Sequence, residues 1–424
     1  MAGMTLRNGR WLDARGATCE GDLVVQDGRI HLGARPDPGD PVVDAQGGWV
    51  LPGAIDAHTH LREPGQEHKE GIDSGTRAAL AGGVTTVLDM PNNAPPITSA
   101  ATLAAKAALF RARSRVNWGL HVQAPVEDRA PLGPHVSAKV YMARSSSLPA
   151  LREAEALRDT FATQRRVAIH AEDESRFLPA GHFGPRAHHL ERPPEAVAAA
   201  LRTIEGVLES MPPGLRPRVI LCHASTQIEV EWLRRVRSTG WDVWGETCPH
   251  YLLLTEADYL REGPRLKVNP PLRTAADVEA VRRGLAEGVI DFVSSDHAPH
   301  TPEEKADEAR APSGLPGIEW FLPALLSLVD QQVLPPSRLL EVSSASAARC
   351  YQLSGRGLIA DGAWADLAVV SRHRPVRPLR TRAGYDPFAH LGLEWTVDAT
   401  VVSGRLAYAG GAFTDGVLGE EVAA

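Results

Sequence analysis

Six side chains stand out for the chemistry they could perform together. His58 and His60 sit two apart in DAHTH, Lys139 lies inside the apolar run AKVYM, and His170 ends RVAIH. His223 follows RVILC, and Asp296 lies in SSDHAPH. Imidazole nitrogens and carboxylate oxygens are ordinary ligands of a divalent transition metal. Alternate residues of a strand share a face, so His58 and His60 can grip one cation, with Asp56 on that same face. Asp296 has two oxygens: one can bind a metal while the other takes a proton from an activated water and later returns it to a leaving nitrogen. Histidine also fills ordinary hydrogen-bonding roles, so HxH alone is a weak signal. Its recurrence at the ends of two later strands is what turns the pair into a candidate metal centre.

Lysine usage singles out Lys139. Lysine and arginine together number 45, and only Lys69, Lys106, Lys139, Lys267 and Lys305 are lysines. An ammonium inside an apolar strand is costly to bury, so it must be neutralised, paired or modified. Lys139 reads either as a solvent-facing strand lysine or as an amine carrying a carboxyl group from CO₂, an anionic bridge between two metals. Near these residues stand groups suited to a substrate. Arg62, just past the HxH, and Asn92 in MPNN can grip a carboxylate through several donors. His300, four residues beyond Asp296, is placed to face substrate rather than metal, and Asn269 in KVNPPLR offers a further polar contact. His297 and the isolated histidines read as packing or local hydrogen-bonding residues.

The elements that must position these groups follow from texture. Eight β-type runs, VLPGAIDAHTH, GVTTVLDMP, RVNWGLHVQAP, SAKVYMARS, RVAIHAED, RVILCHAS, WDVWGETCPH and VIDFVSSDHAPH, are mostly separated by helix-compatible segments such as ATLAAKAALFRARS. That alternation predicts an α/β fold, a closed (β/α)₈ TIM-like barrel over residues 52–351. The C-terminal strand ends of such a barrel converge on one mouth, which would bring the six candidate ligands together. Short β runs with glycine turns at both ends of the chain predict a small β-sandwich domain formed by residues 1–51 and 352–424.

Composition sets the outer limits. The chain has 424 residues, 43% apolar and 23% charged, and a formal charge of −7, the profile of a globular protein with room for a large core. A net acidic chain without a basic run offers no footprint for nucleic acid or for an anionic membrane surface. No apolar run has the length of a membrane helix, and MAGMTLRNGRWLDARG lacks a signal-peptide core, so a cytoplasmic location is expected. Cys19, Cys222, Cys248 and Cys350 are scattered without a CxxC pair and read as reduced thiols.

The stretch DAHTHLREPGQEHKEGIDSGTRAALAGGVTTVLDMPNNAPP resembles the N-terminal barrel signature of dihydroorotases of the amidohydrolase superfamily, and SDHAPHTPEEK resembles their second signature. IHAED, CHAS, KVNPPLR and APSGLPG fall between or after them in family order. The resemblance implies two zinc ions per subunit, with His58, His60 and Asp296 on one, His170 and His223 on the other, and a carboxylated Lys139 bridging them. It implies that Arg62, Asn92 and His300 hold a substrate carboxylate while Asn269 and the backbone of Ser313 and Gly314 hold the ring or amide. The implied reaction is reversible cyclisation of N-carbamoyl-L-aspartate to L-dihydroorotate in pyrimidine synthesis, with Asp296 as proton shuttle. A homodimer or homotetramer, and association with aspartate carbamoyltransferase, also follow from the resemblance. GETCPHYL is closer to the allantoinase and dihydropyrimidinase side, which keeps an allantoinase- or hydantoinase-like activity as the alternative. Some relatives have lost their ligands and serve as scaffolds for aspartate carbamoyltransferase; here each ligand position holds a competent residue.

Overall fold

The computed structural model describes residues 3–13, 16–127, 135–144, 149–179, 187–307, 310–373 and 377–422. The eight apolar runs form parallel strands whose C-terminal ends share one direction. The first three, Ala54–Thr59, Val84–Asp89 and Asn117–Leu120, make one parallel sheet. Ala138–Tyr141, Arg166–His170, Arg218–Leu221, Val243–Thr247 and Phe292–Val293 continue in a second, which opens with the short strand Val122–Gln123. Thr59 bridges to His297 in parallel register, and His60 N–H donates to the His297 carbonyl at 2.8 Å, which joins the first strand to the segment after the last. The result is the predicted (β/α)₈ barrel.

Period-two alternation sorts the strand residues into two layers. Val167, Ile169, Val219 and Leu221 pack outward with helix residues such as Phe161, Leu233 and Val236. Ala168, Ile220, Cys222 and Phe292 fill the barrel interior, closed from one side by Ala347, Cys350 and Tyr351. The helices are specified locally as well as by packing. Gln227–Arg237 begins with a capping box, in which Thr226 accepts from Glu229 N–H and Glu229 reaches back to the Thr226 N–H. It buries Val230, Leu233 and Val236, and Arg234, Arg235 and Arg237 in its last turn complement the helix dipole.

Strands from both chain ends form one nine-stranded sheet, as the glycine-punctuated β runs predict. Trp49–Pro52 pairs antiparallel with Leu367–Arg372, in the register Val50 to Val369. This sheet is tied to the barrel through Asp366, only 4% exposed. Its carboxylate forms an ion pair with the buried Arg356 and accepts from Asn117 Nδ2 at 3.0 Å and from Ser403 N–H at 2.7 Å, Asn117 being the first residue of the third barrel strand. Three of the four cysteines are buried and all are free. Among the described residues no helix is long and apolar enough to cross a membrane.

Removing one partner of a buried ion pair leaves the other charge uncompensated, a loss of about 3–5 kcal/mol. Asp366→Ala should therefore lower unfolding stability by about that amount in a denaturant titration. A loss below about 1 kcal/mol would show that the tie between sheet and barrel is energetically idle.

Candidate functional site

The C-terminal ends of the barrel strands surround a cavity of about 290 Å³. His58, His60, His170, His223 and Asp296 lie in its wall. Ring centroids are 5.3 Å apart for His58 and His60, 5.3 Å for His58 and His223, and 4.7 Å for His170 and His223. Asp296 Oδ1 stands 3.4 Å from His58 Nε2 and 3.2 Å from His60 Nε2. His170 Nδ1 faces His223 Nε2 at 3.0 Å. Residues separated by up to 238 positions are thus gathered into two adjacent donor sets, His58/His60/Asp296 and His170/His223.

The backbone makes special arrangements for this. Arg62, His223 and Asp296 have φ of 64°, 42° and 46°, the left-handed region that non-glycine residues rarely occupy. His223 shows why. Val219 and Leu221 face the helices, so simple alternation would send His223 the same way; the left-handed turn brings its ring inward to His170. The first strand also departs from regular pairing, with a register irregularity between Asp56 and Thr59. Asp56 consequently does not join the cation site as alternation suggests. It binds the hydroxyl of Ser295 and accepts from the Ser295 N–H at 2.9 Å, stitching the first strand to the segment after the last.

Three of the four imidazoles have the far ring nitrogen occupied. His58 Nδ1 lies 2.7 Å from Glu246 Oε1, His60 Nδ1 2.7 Å from Asn92 Oδ1, and His170 Nε2 2.9 Å from Glu172 Oε2. Such acceptors fix the tautomer and leave the opposite nitrogen with a lone pair. Burial holds His58 and His223 well below the ordinary imidazole range, with Lys139 and neighbouring imidazoles adding to it. Burial also lowers His170 and His60, against the pull of Glu172 and Asp296 respectively. Neutral rings converging on one another beside a carboxylate are a donor set suited to zinc.

Lys139 is the one sequence-predicted ligand outside the cavity wall. It is completely buried, with Nζ 2.9 Å from Cys222 Sγ and 5.3 Å from the Tyr141 ring centre. Burial pushes the Cys222 thiol up to about 12, so it is a neutral neighbour. Among the described residues no carboxylate is within ion-pair distance of Lys139.

The remaining wall is polar. Arg62, 7% exposed, places Nε 3.2 Å from the Pro299 carbonyl and Nη2 3.2 Å from His300 Nε2, and no described carboxylate pairs with it. His300 Nε2 also lies 3.1 Å from the Ser313 carbonyl; burial and the cations Arg62, Lys305 and Lys69 push His300 far down, so it is neutral. Asn92 lines the cavity with its carbonyl committed to His60, leaving its NH₂ as donor. Asn269 is held by His188 Nε2 at 2.8 Å. Gly314, at φ 136°, gives its N–H to the Lys267 carbonyl at 2.9 Å. That N–H is therefore spent within the protein, as is the Ser313 carbonyl against His300.

Sequence reasoning missed several members. Lys69, Arg144 and Arg192 line the cavity, Lys69 paired with Glu304 at 3.1 Å and Arg192 with Glu172. Tyr141 lines it with a hydroxyl that has no partner among the described residues. Glu246 and Glu172 were overlooked although each sits at an inward position near a strand end, Glu172 two residues past His170. Burial raises the Glu246 carboxyl to about 8.

Comparison with known proteins agrees with this architecture. Residues 49–407 match the model of the amidohydrolase family. A dihydroorotase from Halobacterium salinarum is 38% identical, with 88% of this chain and 90% of that protein aligned. An allantoinase from Rubrobacter xylanophilus is 35% identical over 96% of this chain and 95% of its own. Among solved structures, an L-hydantoinase (dihydropyrimidinase) from Arthrobacter aurescens superposes over 100% of both chains with a TM-score of 0.91 at 25% identity. A likeness that runs along most of the sequence, in company with the barrel and its ring of imidazoles, makes this protein a member of the amidohydrolase family.

Proposed function

We propose that the protein is a dihydroorotase, a binuclear zinc enzyme that interconverts N-carbamoyl-L-aspartate and L-dihydroorotate in pyrimidine synthesis. The observation that carries the substrate choice is Arg62: a buried guanidinium in the cavity wall, bonded among the described residues only to a carbonyl and a neutral imidazole. A desolvated cation in that state favours an anion, and dihydroorotate carries a ring carboxylate whereas allantoin and dihydrouracil do not. Arg144 adds a further positive charge to the wall. Dihydroorotase relatives support the same choice.

His58, His60 and Asp296 would hold one zinc ion, and His170 and His223 the other. Lys139 fits a carboxylated bridging ligand, because a bare ammonium there meets a thiol and the Tyr141 ring but, among the described residues, no carboxylate, while added CO₂ supplies the missing negative charge. Bound zinc supplies Lewis-acid polarisation of the scissile amide and a water acidic enough to react near neutral pH. Asp296 takes the proton from the attacking water and passes it to the departing ring nitrogen; ring closure runs the same transfers backward. Arg62, the Asn92 amide and His300 orient the carboxylate, and Asn269 with the Ser313–Gly314 backbone orients the ring. We place the enzyme in the cytoplasm as a homodimer or homotetramer, with aspartate carbamoyltransferase as a further partner.

An allantoinase- or hydantoinase-like specificity is the second reading. It is favoured by Lys69 and Arg192, whose charges are already balanced by Glu304 and Glu172, and by the allantoinase and hydantoinase relatives.

Steady-state rates with dihydroorotate, allantoin and dihydrouracil decide between them. Turnover should be confined largely to dihydroorotate; activity restricted to either uncharged ring would overturn the assignment. Arg62→Met should lower kcat/KM for dihydroorotate by about a hundredfold, the scale of a lost buried charge contact, with little effect on any residual dihydrouracil turnover. An unchanged substrate profile removes Arg62 from the site. Asp296→Asn should retain bound metal yet lower kcat by about 10²–10⁴-fold, the contribution of a positioned acid–base group. Near-normal turnover in that variant would show that the proton travels elsewhere.

A further inference from the structure

We infer that Glu246 is a positioning residue that holds the two candidate metal sites in register with each other. The inference rests on the metal-centre reading above but not on the choice of substrate. Glu246 belongs to the seventh barrel strand, Val243–Thr247, is completely buried, and does not line the cavity, so it acts through other residues rather than on substrate.

One oxygen does the linking. Glu246 Oε1 lies 2.7 Å from His58 Nδ1 and accepts from the His223 backbone N–H at 3.2 Å. His58 belongs to the donor set with His60 and Asp296, and His223 to the set with His170. With the proton of this contact on Nδ1, Oε1 accepts from His58 and His223 together. Oε2 has no partner among the described residues and is the free position for a carboxyl proton. His58 is thereby fixed with its lone pair on Nε2, the nitrogen that faces Asp296.

The same residue clamps the turn that brings His223 inward. The Glu246 side chain takes the His223 N–H, and its backbone carbonyl takes the Ala224 N–H at 2.7 Å. Thr247 Oγ1 then donates to the Ala224 carbonyl at 2.7 Å. These contacts bracket the left-handed φ of 42° at His223, a conformation that persists only where its surroundings impose it. Asn92 and Glu172 each orient one ring. Glu246 spans both sites.

The test measures zinc affinity of the full-length protein by chelator competition, together with the melting temperature of each metal-free variant. Glu246→Ala should weaken zinc binding at both sites by about 10–100-fold, the usual cost of losing an outer-shell partner. Glu246→Asp keeps the carboxyl group but loses reach, so it should weaken binding comparably and serves if the alanine variant does not fold. Glu246→Gln keeps an acceptor oxygen at the same length and should remain within a few-fold of wild type. Wild-type affinity in the aspartate variant, with or without a lowered melting temperature, would overturn the inference, as would a glutamine variant as impaired as the aspartate one. A wild-type enzyme active only on allantoin would remove the dihydroorotase assignment, whereas the role of Glu246 stands or falls on these affinities alone.

Discussion

Everything at the mouth of this barrel depends on the convergence of buried imidazole nitrogens. Four buried imidazoles, kept neutral by their surroundings, turn nitrogen towards nitrogen and towards one carboxylate, with His170 Nδ1 and His223 Nε2 separated by 3.0 Å. Polar atoms buried this close together cost free energy unless a proton or a cation is shared among them. A divalent cation would meet that requirement for both donor sets, and a carboxylated Lys139 would balance the charge from below. The protein meets the cost elsewhere by binding the far ring nitrogens to Glu246, Asn92 and Glu172 and by accepting left-handed backbone at His223 and Asp296.

The cavity above this centre has two distinct groups in its wall. Asp296 stands between the two histidines of its own donor set, whereas Arg62 and His300 stand together. On the proposed assignment, charge at that second position would distinguish a ring carrying a carboxylate from rings that lack one, and specificity would be a matter of a few cations and of what already neutralises them.

Much of this was legible in the sequence because it follows from periodicity and residue type. Apolar runs separated by helical stretches yield the barrel, and glycine-punctuated β runs at both ends yield the nine-stranded terminal sheet. The histidines and Asp296 converge because strand ends converge. What escaped depends on local geometry that no pattern encodes. His223 would face the helices by alternation, and only its left-handed turn reverses that. The Gly314 N–H is consumed by Lys267. Burial of a lysine also proved a poor discriminator by itself: Lys106 is buried against Asp89 at 2.6 Å, and Lys305 is buried against three backbone carbonyls. Lys139 differs in what it lacks, since among the described residues neither carboxylate nor carbonyl meets its amine. Glu246 and Glu172 were invisible because a carboxylate in a strand acquires meaning only from the ring it touches.

The central claim is a binuclear cation centre built by residues from five different strands, and anomalous scattering at the zinc edge from crystals grown with zinc tests it most directly. Two peaks per chain are predicted, one flanked by His58 and His60 and the other by His170 and His223. A well-ordered crystal with no peak among these four rings, or with a single peak bound elsewhere, would contradict it.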